Sequence, residues 1–276
     1  MNEQLKIITT YFDSIPFGIP KGNFFAPIQA GKAVSKTALN MLGDNSGDNI
    51  SEKNKTFGEY TAWYYLWKNI KTLYPDLQYI GFAHYRRFIA IRKTGKKTIY
   101  KFNKIPDMSK DCDKYISALQ DCDILTTNKL IFSENRKTQF LKYHNKDDYF
   151  KLLSVIDKLY PDYSSSFNHI FENTNYLTLS IFVCRVETFN KYCEWFFNIL
   201  FELEKQIDTD SYSDYQKRTI AFLAERLLDV WIYHNNIKTK EYPLYFIFGF
   251  KKVFNYLINK IKNVFIRTAK NTKGTK

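Results

Sequence analysis

Apolar and polar positions along this chain change period repeatedly, and each change marks an element. Leu5-Lys6-Ile7-Ile8-Thr9-Thr10 reads as a short first strand, which empties into a stretch broken by Pro16, Gly18, Pro20 and Gly22. Residues 43 to 58 combine Gly with Asp and Asn, the residues that cap their own backbone, and read as a loop. A helix is expected from about Glu59 to Tyr74, stopped by Pro75. Tyr79 to Ala83 is the next strand, and Asp123 to Thr127 another, after a helix around Lys114 to Asp121. Tyr149, Leu152, Leu153, Ile156 and Leu159 recur at helical steps and place a helix over 147–160. A β-rich run from Tyr176 to Cys184 passes into a long amphipathic helix ending near Glu204, and a final core helix spans Tyr215 to His234. Strands alternating with helices in this way predict an α/β domain with a mostly parallel central sheet.

The pattern changes character near the end. Phe250, Val253, Phe254, Leu257, Ile258, Ile261, Val264 and Phe265 fall at three- and four-residue steps, with Lys251, Lys252 and Lys262 among the residues on the remaining faces. The chain is therefore divided into a domain over 1–243 and a C-terminal amphipathic helix within a basic tail over 244–276. Eight Lys and Arg follow Glu241 with no acid among them, and they carry most of the net charge of +13. A basic amphipathic helix suits the interface of an anionic membrane; a helix docked on the core with its Lys in water is the other arrangement. With the basic residues gathered in the tail and no nucleic-acid motif beside them, a nucleic-acid partner is not expected.

No apolar run is long enough to cross a bilayer. Cys112, Cys122, Cys184 and Cys193 have no C-x-x-C spacing and no signal peptide upstream, which predicts reduced thiols and a cytoplasmic location, peripheral at the inner face of the membrane. Four scattered His argue against a His/Cys metal cage, and no metal site is assigned.

Candidate chemistry centres on Tyr79-Ile80-Gly81-Phe82-Ala83-His84-Tyr85-Arg86-Arg87-Phe88. An apolar strand ending in His84, Tyr85, Arg86 and Arg87 puts cationic forks where open α/β sheets hold ligands, and two Arg with a His match the oxygens of a diphosphate. Three roles for the Arg pair stay open: a donor phosphate, an acceptor phosphate, or ion pairing with Asp44 and Asp48. Asp44, Asn45, Asp48 and Asn49 offer groups that bind sugar hydroxyls, or that cap the loop they sit in; their spacing does not fit a calcium loop.

Gly43-Asp44-Asn45-Ser46-Gly47-Asp48-Asn49-Ile50-Ser51, Glu59-Tyr60-Thr61, Trp63-Tyr64-Tyr65-Leu66-Trp67-Lys68-Asn69 and the His-Tyr-Arg-Arg run occur here in that order. Together with Cys122-Asp123-Ile124-Leu125, Tyr192-Cys193-Glu194-Trp195 and Ala221 to Leu228, they resemble the bacterial capsule and exopolysaccharide glycosyltransferases catalogued as domain-of-unknown-function family 4422. The resemblance covers most of residues 5 to 235. It implies a GT-A-like nucleotide-sugar-binding domain that extends a lipid-linked surface polysaccharide. A UDP-sugar, galactofuranose or galactopyranose, is the implied donor, and a polyprenyl-linked oligosaccharide the implied acceptor. His84, Tyr85, Arg86, Arg87, Asp44, Asn45, Asp48 and Asn49 become the donor-binding set. Where GT-A strands usually carry a metal-holding Asp-x-Asp, this one ends in cations, which implies transfer without a metal cofactor, with manganese or magnesium held by Asp44 and Asp48 as the alternative. For the acid–base group the candidates are Glu225, Asp148 and Glu59, with Asp147 beside them. The chain departs from the family at Thr9-Thr10-Tyr11-Phe12, where a His-Lys pair is usual, and at Phe82-Ala83, where Leu-Cys is usual. The contrasting expectation is a non-catalytic carbohydrate- or nucleic-acid-binding module.

Overall fold

A computed structural model describes residues 4–95 and 97–249. The chain opens with β1 (Leu5–Tyr11), β2 (Phe25–Gln29), β3 (Leu42–Gly43), α1 (Asn54–Phe57) and α2 (Tyr60–Leu73). There follow β4 (Tyr79–His84), β5 (Arg87–Ile89), β6 (Ile99–Phe102), α3 (Cys112–Ala118), β7 (Ile124–Thr127) and β8 (Leu130–Ile131). The middle holds α4 (Arg136–Tyr143), α5 (Lys146–Leu159), α6 (Ser164–Phe171), β9 (Asn175–Tyr176), β10 (Phe182–Arg185) and α7 (Val186–Glu204). Then come α8 (Thr219–Ala224), α9 (Leu227–His234), β11 (Thr239–Tyr242) and β12 (Leu244–Phe248).

The main sheet runs β11-β7-β10-β4-β1-β2-β3. β1 pairs in parallel with β2 and β4, β2 with β3, and β11 with β7, while β10 is antiparallel to both of its neighbours. β12 branches from this path, antiparallel to β5 and parallel to β6, and β8 pairs with β9 in a separate ribbon. The fold is α/β with a mostly parallel sheet, as the pattern of the chain predicts.

Strand periodicity builds a core on each face. In β1, Leu5 and Ile7 join one cluster with Tyr115, Leu119 and Ile247, while Ile8 joins the other with Trp63, Phe196 and Leu223. β4 divides in the same way, Tyr79 and Ala83 to the first, Ile80 and Phe82 to the second. Trp63 is core: its ring lies 4.4 Å from Phe82 and 5.3 Å from Phe182. Phe82 therefore acts by packing, as expected.

Three expectations are corrected. The helix over Tyr215–His234 is broken into a 3-10 turn (Gln216–Arg218), α8 and α9, with Glu225 and Arg226 at the second break. Between Tyr176 and Cys184 only the ends are strand, because Leu177–Ile181 leaves the sheet to line a cavity and the core. The division at residue 244 falls inside the sheet: Leu244–Phe248 is β12, with Tyr245 and Ile247 buried. The amphipathic pattern from Phe250 onward lies outside the described residues. Among the described residues, no helix is long and apolar enough to cross a membrane, and all four cysteines are free thiols.

β4 and β10 approach so closely that a Cβ on Gly81 would stand 2.7 Å from Val183 Cγ2 and 3.1 Å from the Phe182 carbonyl oxygen. Gly81→Ala must separate two central strands, and overpacking of this kind costs on the order of 1–3 kcal/mol. A urea unfolding midpoint no lower than wild type would show that the two strands do not constrain this position.

Candidate functional site

Parallel strands hold ligands at their carboxyl ends, and here the ends of β1 and β4 lie side by side with Thr10 opposite His84. After His84 the chain turns through Tyr85 and Arg86 and returns in β5, so that His84 and Arg87 pair across the turn. Backbone pairing, rather than a loose loop, positions the cationic run. The Tyr85 ring lies 4.2 Å from His84 and 6.2 Å from Phe17, and Phe12 stands 6.0 Å from His84. Thr9 to Phe12, where the chain departs from its family, thus adjoin the site.

Aromatic faces support the guanidiniums without neutralising them. Arg86 lies 5.4 Å from the Tyr85 ring and 5.6 Å from Phe246, and Arg87 lies 5.5 Å from Phe246. Among the described residues neither guanidinium donates a hydrogen bond or enters a salt bridge, and both Nε atoms are buried without a partner. Ion pairing with Asp44 and Asp48 does not occur. Asp44 accepts from the Gly31 and Lys32 amides at 2.8 and 3.1 Å and from Ser51 Oγ, while Asp48 accepts from Tyr64 Oη at 3.0 Å.

Two carboxylates couple to Arg87. Glu59 stands immediately before α2, and Glu225 at the break between α8 and α9. Burial and then repulsion from Glu225 push the Glu59 carboxyl up to about 7, against the opposing pull of Arg87 and Arg218. Burial also raises Glu225, against Arg226, Arg87, Arg136 and Arg218. Neither carboxylate accepts a hydrogen bond among the described residues. His84 moves the other way: burial, then Arg87 and Arg86, take it down to about 3. It is neutral at physiological pH and is not a third cation beside the Arg pair, which corrects that expectation. Arg218 reaches the same cluster from the start of α8; a Cβ on Gly58 would lie 3.7 Å from its Nη2.

The remaining candidates stand apart. No hydrogen bond, ion pair or ring contact among the described residues joins Asp44, Asn45, Asp48 or Asn49 to the His84–Arg87 turn. Asn49 closes an Asx-turn, its Oδ1 accepting from the Ser51 amide at 3.1 Å. That loop is tied to the Gly31–Lys32 backbone and to α2, and the segment it begins leads to Glu59. Asp148 is fully buried, and its two oxygens accept from Tyr212 Oη at 2.9 Å and Thr219 Oγ1 at 2.6 Å, pinning the start of α8. Asp147 is exposed at the start of α5, where the helix dipole favours an acid.

Glu225 lies at the break in the helix, and guanidiniums bind the carbonyls around it. Arg136, buried in α4, donates to the Arg226 carbonyl at 2.7 Å, to the Leu177 carbonyl at 2.7 Å and to Asp229 Oδ2 at 2.6 Å. Arg226 in turn donates to the Phe222 carbonyl and to Gln139 Oε1. Beside this network a cavity of about 370 Å³ opens between α4, the β8–β9 ribbon and Glu225. Arg136 and Arg218 are the functional positions missed in the sequence. Asp229, a lone acid in the apolar run Leu227–Ile232, is the signal that called for a buried cation.

Residues 6–236 match the family model described as Domain of unknown function (DUF4422). The chain belongs to this family. No curated protein matches it. Among solved structures this DUF4422 chain is similar to the bifunctional glycosyltransferase WbbM in its apo form, at 28% sequence identity and a TM-score of 0.78. The match covers 88% of this chain and 45% of WbbM, so the chain spans about half the length of that protein. The DUF4422 fold is GT-A-like. Among its described residues no group of three or more His, Cys, Asp or Glu is gathered as metal ligands require.

Because folded Glu59 holds its proton up to about 7 against 4.5 for the free group, it opposes folding only when ionised. Its penalty is absent below about 4.5 and grows as pH rises toward 7. Glu59→Gln is therefore expected to raise the urea midpoint at pH 8 and leave it near wild type at pH 4. Equal effects at both pH values would mean that Glu59 is not held protonated by its surroundings.

Proposed function

We propose that this chain is a nucleotide-sugar-dependent glycosyltransferase that extends a lipid-linked bacterial surface polysaccharide, with UDP-galactofuranose or UDP-galactopyranose as donor. One observation carries the reading. The turn from β4 to β5 holds two guanidiniums that close no hydrogen bond, one of them, Arg87, coupled to two carboxylates of raised pKa that close none either, on a fold similar to a glycosyltransferase. A structural ion network closes its hydrogen bonds, whereas this one leaves them for a ligand.

In the proposed reaction the acceptor oxygen bonds to the anomeric carbon as that carbon's bond to the diphosphate oxygen breaks. The hydroxyl proton passes to Glu225, whose carboxylate burial makes more basic than a free one, and the bonding pair leaves on the diphosphate. Arg86 and Arg87 receive that charge from fixed positions, which is where electrostatic catalysis gains most. Neutral His84 serves as a hydrogen-bonding group beside them. With guanidiniums at the strand end, no metal is required in this scheme, and Asp44, Asn45, Asp48 and Asn49 shape the donor side through their loop.

The reading is tested by screening nucleotide sugars for hydrolysis and transfer, with and without EDTA. Turnover of at least one UDP-sugar that survives chelation is expected. Loss of a charge-assisted bond, about 1.5–3 kcal/mol, should make Arg86→Ala and Arg87→Ala slower by roughly ten- to over a hundredfold. No turnover of any donor would favour a binding module; activity abolished by EDTA and restored by manganese would reassign the diphosphate to a metal.

The tail is proposed to bind anionic membrane, confining the enzyme to the surface that carries its acceptor. Since β12 belongs to the sheet, the informative truncation removes 250–276 and spares Leu244–Phe248. Liposome co-sedimentation should disappear while transfer to a short soluble acceptor persists. Co-sedimentation of the truncated protein would remove the tail from this role.

A further inference from the structure

The cavity beside Glu225 is lined on one side by Phe132, which stacks on Tyr176 at 4.6 Å and an interplanar angle of 14°, with Arg136 4.5 Å behind the Tyr176 ring. Tyr143, 55% exposed, borders it from the end of α4. Its size, about 370 Å³, falls in the range of roughly 300–1,000 Å³ of small-molecule sites. Its charge is also informative. The guanidiniums in its wall are engaged, Arg136 by Asp229 and two carbonyls, Arg226 by Phe222 and Gln139. The carboxylates of Glu134 and Glu225 line the same space, Glu134 half-exposed and paired only with Lys142. With carboxylates beside aromatic faces, such a site suits an uncharged polyol, whose hydroxyls donate to carboxylates and whose apolar ring face lies on an aromatic one.

We propose that this cavity binds the terminal neutral hexopyranose of the acceptor, its ring against Phe132 and its reacting hydroxyl toward Glu225. The inference deepens the transferase reading and rests on it for the word acceptor. Glu225 is the one residue that both lines the cavity and couples electrostatically to Arg87, so it marks where acceptor and donor sides meet. The aromatic pair is carried by the β8–β9 ribbon and held from behind by Arg136, which orients a platform rather than filling a core.

The test is ligand-observed NMR on the full chain with a panel of methyl hexopyranosides and neutral disaccharides. At least one should show saturation transfer from wild type. The signal should fall at least fivefold in Phe132→Ala/Tyr143→Ala and in Ser133→Trp, which fills the cavity from an exposed loop position, and stay within twofold in Lys191→Ala, an exposed substitution on α7 away from the cavity. Near-UV circular dichroism checks that each variant is folded, and Ser133→Trp decides the matter if the double variant is not. Binding by no member of the panel, or binding unchanged in the folded variants, overturns the proposal. A wild type that binds sugar here yet turns over no nucleotide sugar would instead refute the transferase reading and leave this site standing.

Discussion

The guanidinium of Arg136 ties together segments that are far apart in the chain, and the geometry of the site depends on it. From α4 it reaches the Leu177 carbonyl, the Arg226 carbonyl and Asp229, with both charged partners about 1% exposed. A buried pair of this kind contributes little net stability over apolar packing, but removing one partner strands the other at a cost of roughly 3–5 kcal/mol. Its consequence here is geometric. It binds the Arg226 carbonyl where α8 gives way to α9, next to Glu225, which lines the cavity. The same side chain holds the Leu177 segment out of the sheet and lies behind the Tyr176 ring.

Around that fixed point the molecule keeps charges under tension. Arg87 is within electrostatic range of Glu59, Glu225 and Arg86, and the four side chains close no hydrogen bonds among the described residues. Holding them so opposes folding, and the two cores flanking the sheet supply the stability that tolerates it. Rigid strands matter for the same reason: like charges on a loop would swing apart, whereas β4 and β5 hold His84 and Arg87 in cross-strand register. A neutral His84 beside two cations follows from this crowding, since a third positive charge would be repelled by both.

Much of this was legible in the sequence, because strand and helix periodicity is local. β1, α2, β4, β7, α5 and α7 lie within a few residues of where apolar spacing puts them. The His84–Arg87 run was legible too, since four polar residues after an apolar strand have to emerge at its end.

What the sequence determined by itself was the order of elements and the strand that delivers the cations, each a matter of spacing between near neighbours. Tertiary structure alone decided that Glu59 and Glu225, 166 positions apart by their numbers, meet at that strand end. It decided that Asp148 closes its hydrogen bonds inside a helix contact, that Leu244–Phe248 is sheet rather than tail, and that His84 is uncharged. In each case the deciding quantity is burial, strand pairing or the distance to a group from a remote segment, and none of these is encoded in local periodicity.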